Sequence, residues 1–214
     1  MFFSCNVAFS SLPVFLPTII LDMGYASLTA QALTAPPYLF AFLTVLATAY
    51  LSDRYRSRSA FVILHSALGT LGYATIALCG YTRSQNTALR YAALFPAAAG
   101  FFSAITIIIT WTINNQESES GRGTGVAVMN VIGQMGPLVG TSVFPREEGP
   151  WYVKGMTVCA AFMLMVGFLA AVLRWVLARE NMRNKERSGG DYQGVALDEG
   201  GLVGEKRNGF EYML

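Results

Sequence analysis

Neutral polar side chains recur at helical spacing inside the most apolar stretches of the sequence. Residues three or four apart share one face of a helix, so each set forms a polar stripe. The three stripes consist of Asn6 and Ser10, of Ser103, Thr106 and Thr110, and of Asn130 and Gln134. An amide or hydroxyl in an apolar environment is costly unless it finds a hydrogen-bond partner. The stripes are therefore expected either to hydrogen-bond between helices or to line a water-filled path, for which Asn6 and Gln134 are the strongest candidates.

The residues that could perform catalysis or bind a metal do not form a recognisable set. His65 is the single histidine, and the three cysteines are isolated from one another, without a CxxC pair. Two roles stay open for His65, a proton relay within the membrane and a hydrogen-bonded residue beside Ser66 at a membrane boundary. The sequence predicts that the chain is not an enzyme, and it implies no catalytic residue, metal site or cofactor.

One short segment concentrates charge between two apolar stretches. Asp53 is followed by Arg54, Arg56 and Arg58 within a loop of about seven residues. Asp53 could pair with one of these arginines or interact with the N-terminus of a neighbouring helix. The cluster is expected either to latch a gate on that side of the membrane or to mark topology through its positive charge.

The elements that must position these residues are membrane helices. Hydrophobic residues make up 53% of the 214 residues and charged residues 13%, against about 25% charged in a typical soluble domain. Six windows without Asp, Glu, Lys or Arg are each 19 to 30 residues long, and a membrane-spanning helix needs about 20 apolar residues. This pattern is a poor fit to a soluble enzyme, a disordered chain or a nucleic-acid binder. It predicts an all-α, polytopic membrane protein with six transmembrane helices at about 2–21, 33–51, 59–80, 91–113, 124–144 and 154–177.

The distribution of Lys and Arg predicts the orientation of these spans. Nine basic residues lie on the side of the even-numbered connections and four on the other side, which places both termini in the cytoplasm. The nine are Arg54, Arg56, Arg58, Arg122, Arg174, Arg179, Arg183, Lys185 and Arg187, and the four are Arg83, Arg90, Arg146 and Lys154. The six-helix bundle is expected to cover residues 1–178. The Gly-rich, charged tail at 179–214 is expected to be cytoplasmic and mostly disordered after a short helical extension. The uncharged start at Met1 is typical of the interior of a span, which indicates truncation upstream.

The segment 133–140 is the most deformable part of the predicted spans. It contains Pro137, and the spacing of Gly136 and Gly140 permits a close approach of two helices. A kinked packing face and a moving hinge are equally compatible with this pattern.

Several ordered motifs resemble one carrier family. The run Leu51-Ser-Asp-Arg-Tyr-Arg-Ser-Arg58 resembles the cytoplasmic loop signature of the major facilitator superfamily (MFS), in its second-half copy. Further segments are similar to fungal allantoate and nicotinate permease-like carriers, the anion:cation symporter branch: 15–20, 23–25, 33–38, 111–115, 133–145, 151–156 and 209–214. Together these motifs cover about residues 3–178 and the last few residues.

The resemblance implies that the chain is the C-terminal six-helix half of a twelve-helix carrier. Such carriers move solute by alternating access, through a site at the bilayer midplane between two halves. By match of position, the substrate path would be lined by Asn6, Ser10, Ser103, Thr106, Asn130 and Gln134. Asp53, Arg54 and Arg58 would form the cytoplasmic gate loop.

The resemblance also implies a solute and partners. The solute would be a small organic anion or vitamin-like compound, usually moved together with protons by symport. The partners would be the lipid bilayer, with the plasma membrane as the expected location, and a missing N-terminal half or another copy of the chain. The alternative is a truncated, non-transporting membrane protein that associates with another six-helix protein, since a half carrier exposes an apolar face.

Overall fold

The computed structural model describes residues 1–84, 86–116, 118–195 and 212–214. Within these residues there are eight α-helices and one short 3-10 helix at Arg146–Glu148, and no β-strand. The α-helices are α1 (Phe2–Asp22), α2 (Ser27–Ala32), α3 (Ala35–Tyr55), α4 (Arg58–Tyr81), α5 (Thr87–Asn114), α6 (Glu119–Gly133), α7 (Gly136–Ser142) and α8 (Val153–Val195). The all-α fold class predicted from the sequence is confirmed.

Five helical segments of the described chain are long and apolar enough to cross a membrane. They are Phe2–Asp22, Ser27–Tyr55, Arg58–Tyr81, Thr87–Asn114 and Val153–Lys185. The second segment combines α2 and α3. The paired prolines of α3 stand at its first turn, where the missing N–H groups cost no intrahelical bond.

The stretch predicted as a single fifth span, 124–144, is divided between two helices. α6 has 15 residues and α7 has seven, with Gln134 and Met135 between them. Pro137 occupies the first turn of α7. The proline nitrogen carries no hydrogen and cannot donate a hydrogen bond to the preceding turn. This favours an interruption of the helix at this point. We call residues Gly133–Gly136 the α6–α7 break.

The bundle is held together by close packing of α5 against α4, α3 and α1, and of α4 against α8. At the α4–α5 interface the two backbones nearly touch. A Cβ atom on Gly100 would press on the Gly69 backbone nitrogen and lie 2.7 Å from the His65 carbonyl oxygen. Only a residue without a side chain permits this separation.

A second close approach joins α1 to α7. A Cβ atom on Gly136 would lie 2.7 Å from the Phe3 carbonyl oxygen, and one on Gly140 would press on the Val7 carbonyl oxygen. The spacing Gly136-x-x-x-Gly140 therefore serves helix packing, as the sequence suggested.

The C-terminal region begins as a continuation of α8. This helix runs past residue 178 to Val195, and residues 196–211 of the expected disordered tail lie outside the described residues. The last three residues, 212–214, are described and lie against the end of α5, the middle of α8 and the start of α4. The boundary between bundle and tail at 178 stays a prediction.

Candidate functional site

The polar residues of α1 lie against α6 and α7. Asn6 is buried, and its Nδ2 donates to the Phe2 carbonyl oxygen at 3.0 Å. Ser10 Oγ donates to the Val7 carbonyl oxygen at 3.2 Å. Both side chains thus bond the backbone of their own helix, and both border the glycines of the α6–α7 region.

The hydrogen bond that does link α1 to α7 is made by a residue that the sequence did not single out. Ser11 Oγ lies 2.7 Å from the Val7 carbonyl oxygen and 3.2 Å from the Gly140 carbonyl oxygen, and it accepts from Cys159 Sγ at 3.3 Å. Ser11 is fully buried. Little in the sequence singled out Ser11, because it directly follows Ser10 and the two serines are spaced similarly from other polar residues.

The stripe on α6 reaches its end beside Asn6. Asn130 is half-buried, and its Nδ2 donates to the Val126 carbonyl oxygen at 2.9 Å. Gln134 follows the last residue of α6 and is exposed. A Cβ atom on Gly133 would lie 3.3 Å from Asn6 Nδ2. The structure therefore brings Asn6 next to the α6–α7 break.

A cavity of about 330 Å³ opens between α3 and α5. Thr106 lines it, and its hydroxyl donates to the Phe102 carbonyl oxygen at 2.9 Å. Two neighbouring rings, Tyr38 and Phe102, meet edge to face with centroids 6.0 Å apart. We call this cavity the α3–α5 crevice, and its lining consists of Tyr38, Ala41, Phe42, Val45, Phe102 and Thr106.

Two buried hydroxyls in α3 and α5 lack hydrogen-bond partners among the described residues. They belong to Tyr38, whose ring lines the crevice, and to Ser103, which is fully buried on α5. A buried hydroxyl without a partner is rare and calls for a ligand or water. Sequence reasoning selected Ser103 but missed Tyr38, which belongs to none of the three polar stripes.

The structure brings two of the three gate-loop residues together. The Arg58 guanidinium forms an ion pair with the Asp53 carboxylate and donates to Ser52 Oγ at 3.1 Å. Arg58 is buried, whereas the Asp53 side chain is 64% exposed. Arg54 is exposed and donates instead to the Tyr50 hydroxyl at 3.4 Å. The carboxylate end of this ion pair is solvated, which lowers its energy, whereas the buried Arg58 depends on Asp53 and Ser52 as its partners.

His65 is buried and hydrogen-bonded between two helices. Its Nε2 lies 2.8 Å from Thr48 Oγ1, which joins α4 to α3, and its Nδ1 has no partner among the described residues. Thr48 was not identified from the sequence, where it is one of several threonines in an apolar stretch.

A larger cavity lies on the other side of the bundle, between α4 and α8. It has a volume of about 630 Å³ and is walled by aliphatic and aromatic side chains including Ile63, Leu164 and Phe168. The one hydroxyl in its lining, on Ser66, donates to the Ile63 carbonyl oxygen at 2.9 Å. We call this cavity the α4–α8 groove. It offers a solute little polar chemistry.

Metal binding has no candidate among the described residues, because no three His, Cys, Asp or Glu side chains cluster there. Cys5, Cys79 and Cys159 are each buried as free thiols.

Comparison with known proteins gives a consistent picture. The chain is 28% identical over 95% of its length to the MFS-type transporter cnsO of Penicillium expansum, and it covers 40% of that protein. It is 30% identical over 92% of its length to the MFS transporter prlL of a fungal species, covering 39% of it. It is 26% identical over 99% of its length to the high-affinity nicotinic acid transporter of Saccharomyces cerevisiae, again covering 39%.

The chain thus spans about two fifths of the length of the curated relatives it matches. No protein-family model matches the chain, and no solved structure matches it. The five membrane-capable helices and these relatives together identify an integral membrane protein. Along most of its length, the chain is a homologue of fungal MFS-type transporters.

Proposed function

We propose that the chain is the C-terminal six-helix half of an MFS carrier that moves a small organic anion or vitamin-like compound by alternating access. The observation that carries this proposal is the similarity to transporters along 92% to 99% of the chain. Similarity of that extent includes the crevice, the gate loop and the α6–α7 break, which are the parts a carrier would need.

The proposed solute path lies on the side of the bundle formed by α1, α3, α5, α6 and α7. The α3–α5 crevice offers the Tyr38 hydroxyl beside aromatic rings, and this combination suits a ring compound with a polar group. Asn6, Ser10, Ser103, Asn130 and Gln134 would continue the path toward α1 and α6. A nicotinate-like solute is supported by the name of the yeast relative.

A second six-helix half would cover this side of the bundle. α3 carries a row of exposed apolar side chains that includes Leu39, Phe42 and Leu46, and α6 carries Val131 and Ile132. Contiguous exposed apolar surface of this kind marks lipid or protein contact. We place the solute between the two halves, and we expect the charge that complements an organic anion to come from the other half.

The moving parts would be the α6–α7 break and the gate loop. Rocking of one half against the other requires a segment that changes its backbone angles and a contact that opens and closes. The break at Gln134 and Met135 supplies the first, and the Asp53–Arg58 ion pair supplies the second. We propose a plasma-membrane location with both termini cytoplasmic, which puts the gate loop on the cytoplasmic side.

Uptake of labelled nicotinate and allantoate into transport-deficient cells tests this function. The chain would be expressed alone and together with any six-span segment encoded in frame ahead of it. We expect uptake only from the extended chain, and a loss of uptake at unchanged surface abundance for Asn6→Ala and Gln134→Ala. Unaltered uptake in both variants would remove these residues from the path. Absence of uptake from the extended chain, at the membrane and with a broad panel of organic acids, would contradict a carrier.

A further inference from the structure

The last residues of the chain occupy a slot built from side-chain amides at the gate-loop end of the bundle. Asn115, just after α5, pairs with the main chain of Met213. Its Oδ1 accepts from the Met213 N–H at 2.8 Å and its Nδ2 donates to the Met213 carbonyl oxygen at 3.2 Å. The indole Nε1 of Trp111 donates to that same carbonyl oxygen at 2.7 Å.

The neighbouring residue is held in the same way from α8. Asn181 Oδ1 accepts from the Tyr212 N–H at 2.8 Å, and Asn181 Nδ2 donates to the Tyr212 carbonyl oxygen at 2.8 Å. An extended chain directs the N–H and C=O groups of successive residues to opposite sides. The tripeptide is therefore held between α5 and α8 much as a strand is held between two neighbouring strands.

The third residue connects this slot to the gate loop. The backbone N–H of Arg58, the first residue of α4, donates to a Leu214 oxygen at 2.6 Å. The Arg58 side chain meanwhile pairs with Asp53. The first N–H groups of a helix have no partner within the helix itself, so the Leu214 oxygen satisfies one of them at the start of α4.

We propose that Asn115, Asn181 and Trp111 form a peptide-binding slot for residues 212–214 of the same chain, which recognises their main-chain groups and fixes the Asp53–Arg58 loop. Recognition through main-chain hydrogen bonds depends little on the side chains of the bound peptide. The slot thus requires an extended segment with a backbone N–H at both 212 and 213. This inference is independent of which solute is transported.

A matched pair of substitutions at one tail position separates main-chain from side-chain recognition. Met213→Pro removes the backbone N–H from which Asn115 Oδ1 accepts a hydrogen bond. Met213→Leu keeps that N–H and loses only the 3.4 Å contact between Met213 Sδ and Asn114 Nδ2. The readout is limited trypsin digestion of the purified full chain in detergent, with the cleavage sites located by mass spectrometry.

We expect Met213→Pro to raise the rate of cleavage after Arg54 and Arg56 about tenfold, because lost backbone hydrogen bonds increase local opening. Met213→Leu should be cleaved at the wild-type rate. Cleavage after Arg83, an exposed residue at the opposite end of α4, is the internal control and should be equal in all three proteins.

Two further measurements keep the inference testable if the proline variant does not accumulate. Asn181→Ala removes the other amide pair and should likewise speed cleavage in the loop. A heptapeptide with the sequence of residues 208–214, added in excess to the Met213→Pro protein, should restore protection by occupying the vacated slot. The same peptide carrying the proline should not.

Equal loop cleavage in the wild type, Met213→Pro and Asn181→Ala would overturn the proposal. So would equal acceleration by Met213→Leu and Met213→Pro, since that result would mean that the methionine side chain, and not the main chain, is recognised. Cleavage that rises equally after Arg83 would indicate general unfolding and would also count against it.

Discussion

The two sides of the bundle carry cavities that differ in size and in chemistry. The α4–α8 groove has about 630 Å³ and the α3–α5 crevice about 330 Å³. In the groove, the Ser66 hydroxyl is already bonded to the backbone. In the crevice, the Tyr38 hydroxyl is buried without a partner among the described residues.

Under the proposed function we expect the solute in the crevice and not in the larger groove, because only the crevice offers a hydroxyl that no described residue occupies. Lipid-facing helices leave apolar grooves between them that acyl chains can fill without any hydrogen bond. A solute that crosses the membrane must exchange water for protein hydrogen bonds, so its site needs donors or acceptors that are free. We call the α1, α3, α5, α6 and α7 side the crevice side, and the α4 and α8 side the groove side.

The largest expected effect is on the interface that joins the two sides. Gly100→Ala should reduce the free energy of unfolding by about 3 kcal/mol, because its Cβ would meet backbone atoms of α4 that cannot move independently. Detergent-based thermal or chemical unfolding of the purified chain measures this. Gly123→Ala is the control, since a Cβ there meets nothing within 4 Å. That substitution in α6 should stabilise the protein by about 0.8 kcal/mol. Equal effects at both positions would contradict the close packing of α4 and α5.

A smaller loss is expected within the crevice side. Gly140→Ala places a Cβ against the Val7 carbonyl oxygen, but α7 is short and follows the α6–α7 break, so it can shift. We expect about 2 kcal/mol of destabilisation and a loss of uptake larger than for Gly100→Ala at matched surface abundance. The reverse order of uptake would mean that the break is not part of the transport movement.

The comparison of the two cavities is tested directly by removing one atom. Tyr38→Phe should leave stability unchanged or slightly raised, because the lost hydroxyl has no partner. It should weaken solute affinity about fivefold, the effect of one neutral hydrogen bond. Leu164→Ala in the groove is the control and should leave affinity unaltered. Transport kinetics over a range of solute concentrations give the solute affinity of both variants. Weaker affinity from Leu164→Ala alone would assign the solute to the groove.

The smallest expected effect concerns the hydrogen bond between α3 and α4. Thr48→Val preserves shape and removes the partner of His65 Nε2, which should cost about 0.6 kcal/mol. Thr75→Val provides the control, since the Thr75 hydroxyl bonds only the Leu71 carbonyl oxygen of its own helix. Measurements of the free energy of unfolding should show a larger loss for Thr48→Val than for Thr75→Val. An equal change in both would show that the Thr48–His65 bond contributes nothing specific.

The sequence predicted the parts of this fold that depend on composition along the chain. Long uncharged windows determined the all-α membrane class, and the spacing of Gly136 and Gly140 indicated a close helix contact. For Asp53 the sequence left open an ion pair with an arginine and an interaction with a helix N-terminus, and it could not choose among the three arginines. That choice depends on the left-handed backbone at Arg56, which turns Arg58 back toward Asp53.

The parts that were not predicted depend on neighbours far away in sequence. The Tyr38 hydroxyl matters because α5 buries it without offering an acceptor, and nothing local to Tyr38 reveals this. The sequence analysis selected Ser10 and overlooked Ser11. The carbonyl oxygen that Ser11 contacts belongs to Gly140, 129 residues away, so no local pattern reveals the contact. The docked tripeptide at 212–214 was likewise not predicted, since its partners are polar residues of ordinary type, Asn115 at the end of α5 and Asn181 within α8.

The most direct test of the central claim is thiol labelling of the two sides of the carrier in native membranes. The three native cysteines are buried, so new cysteines can be read against a low background. Thr106→Cys lies in the crevice and Leu164→Cys in the groove. With the complete carrier and a membrane-impermeant reagent, we expect labelling at 106 that the transported solute slows, and none at 164. Labelling at 164 with none at 106 would contradict a solute path on the crevice side.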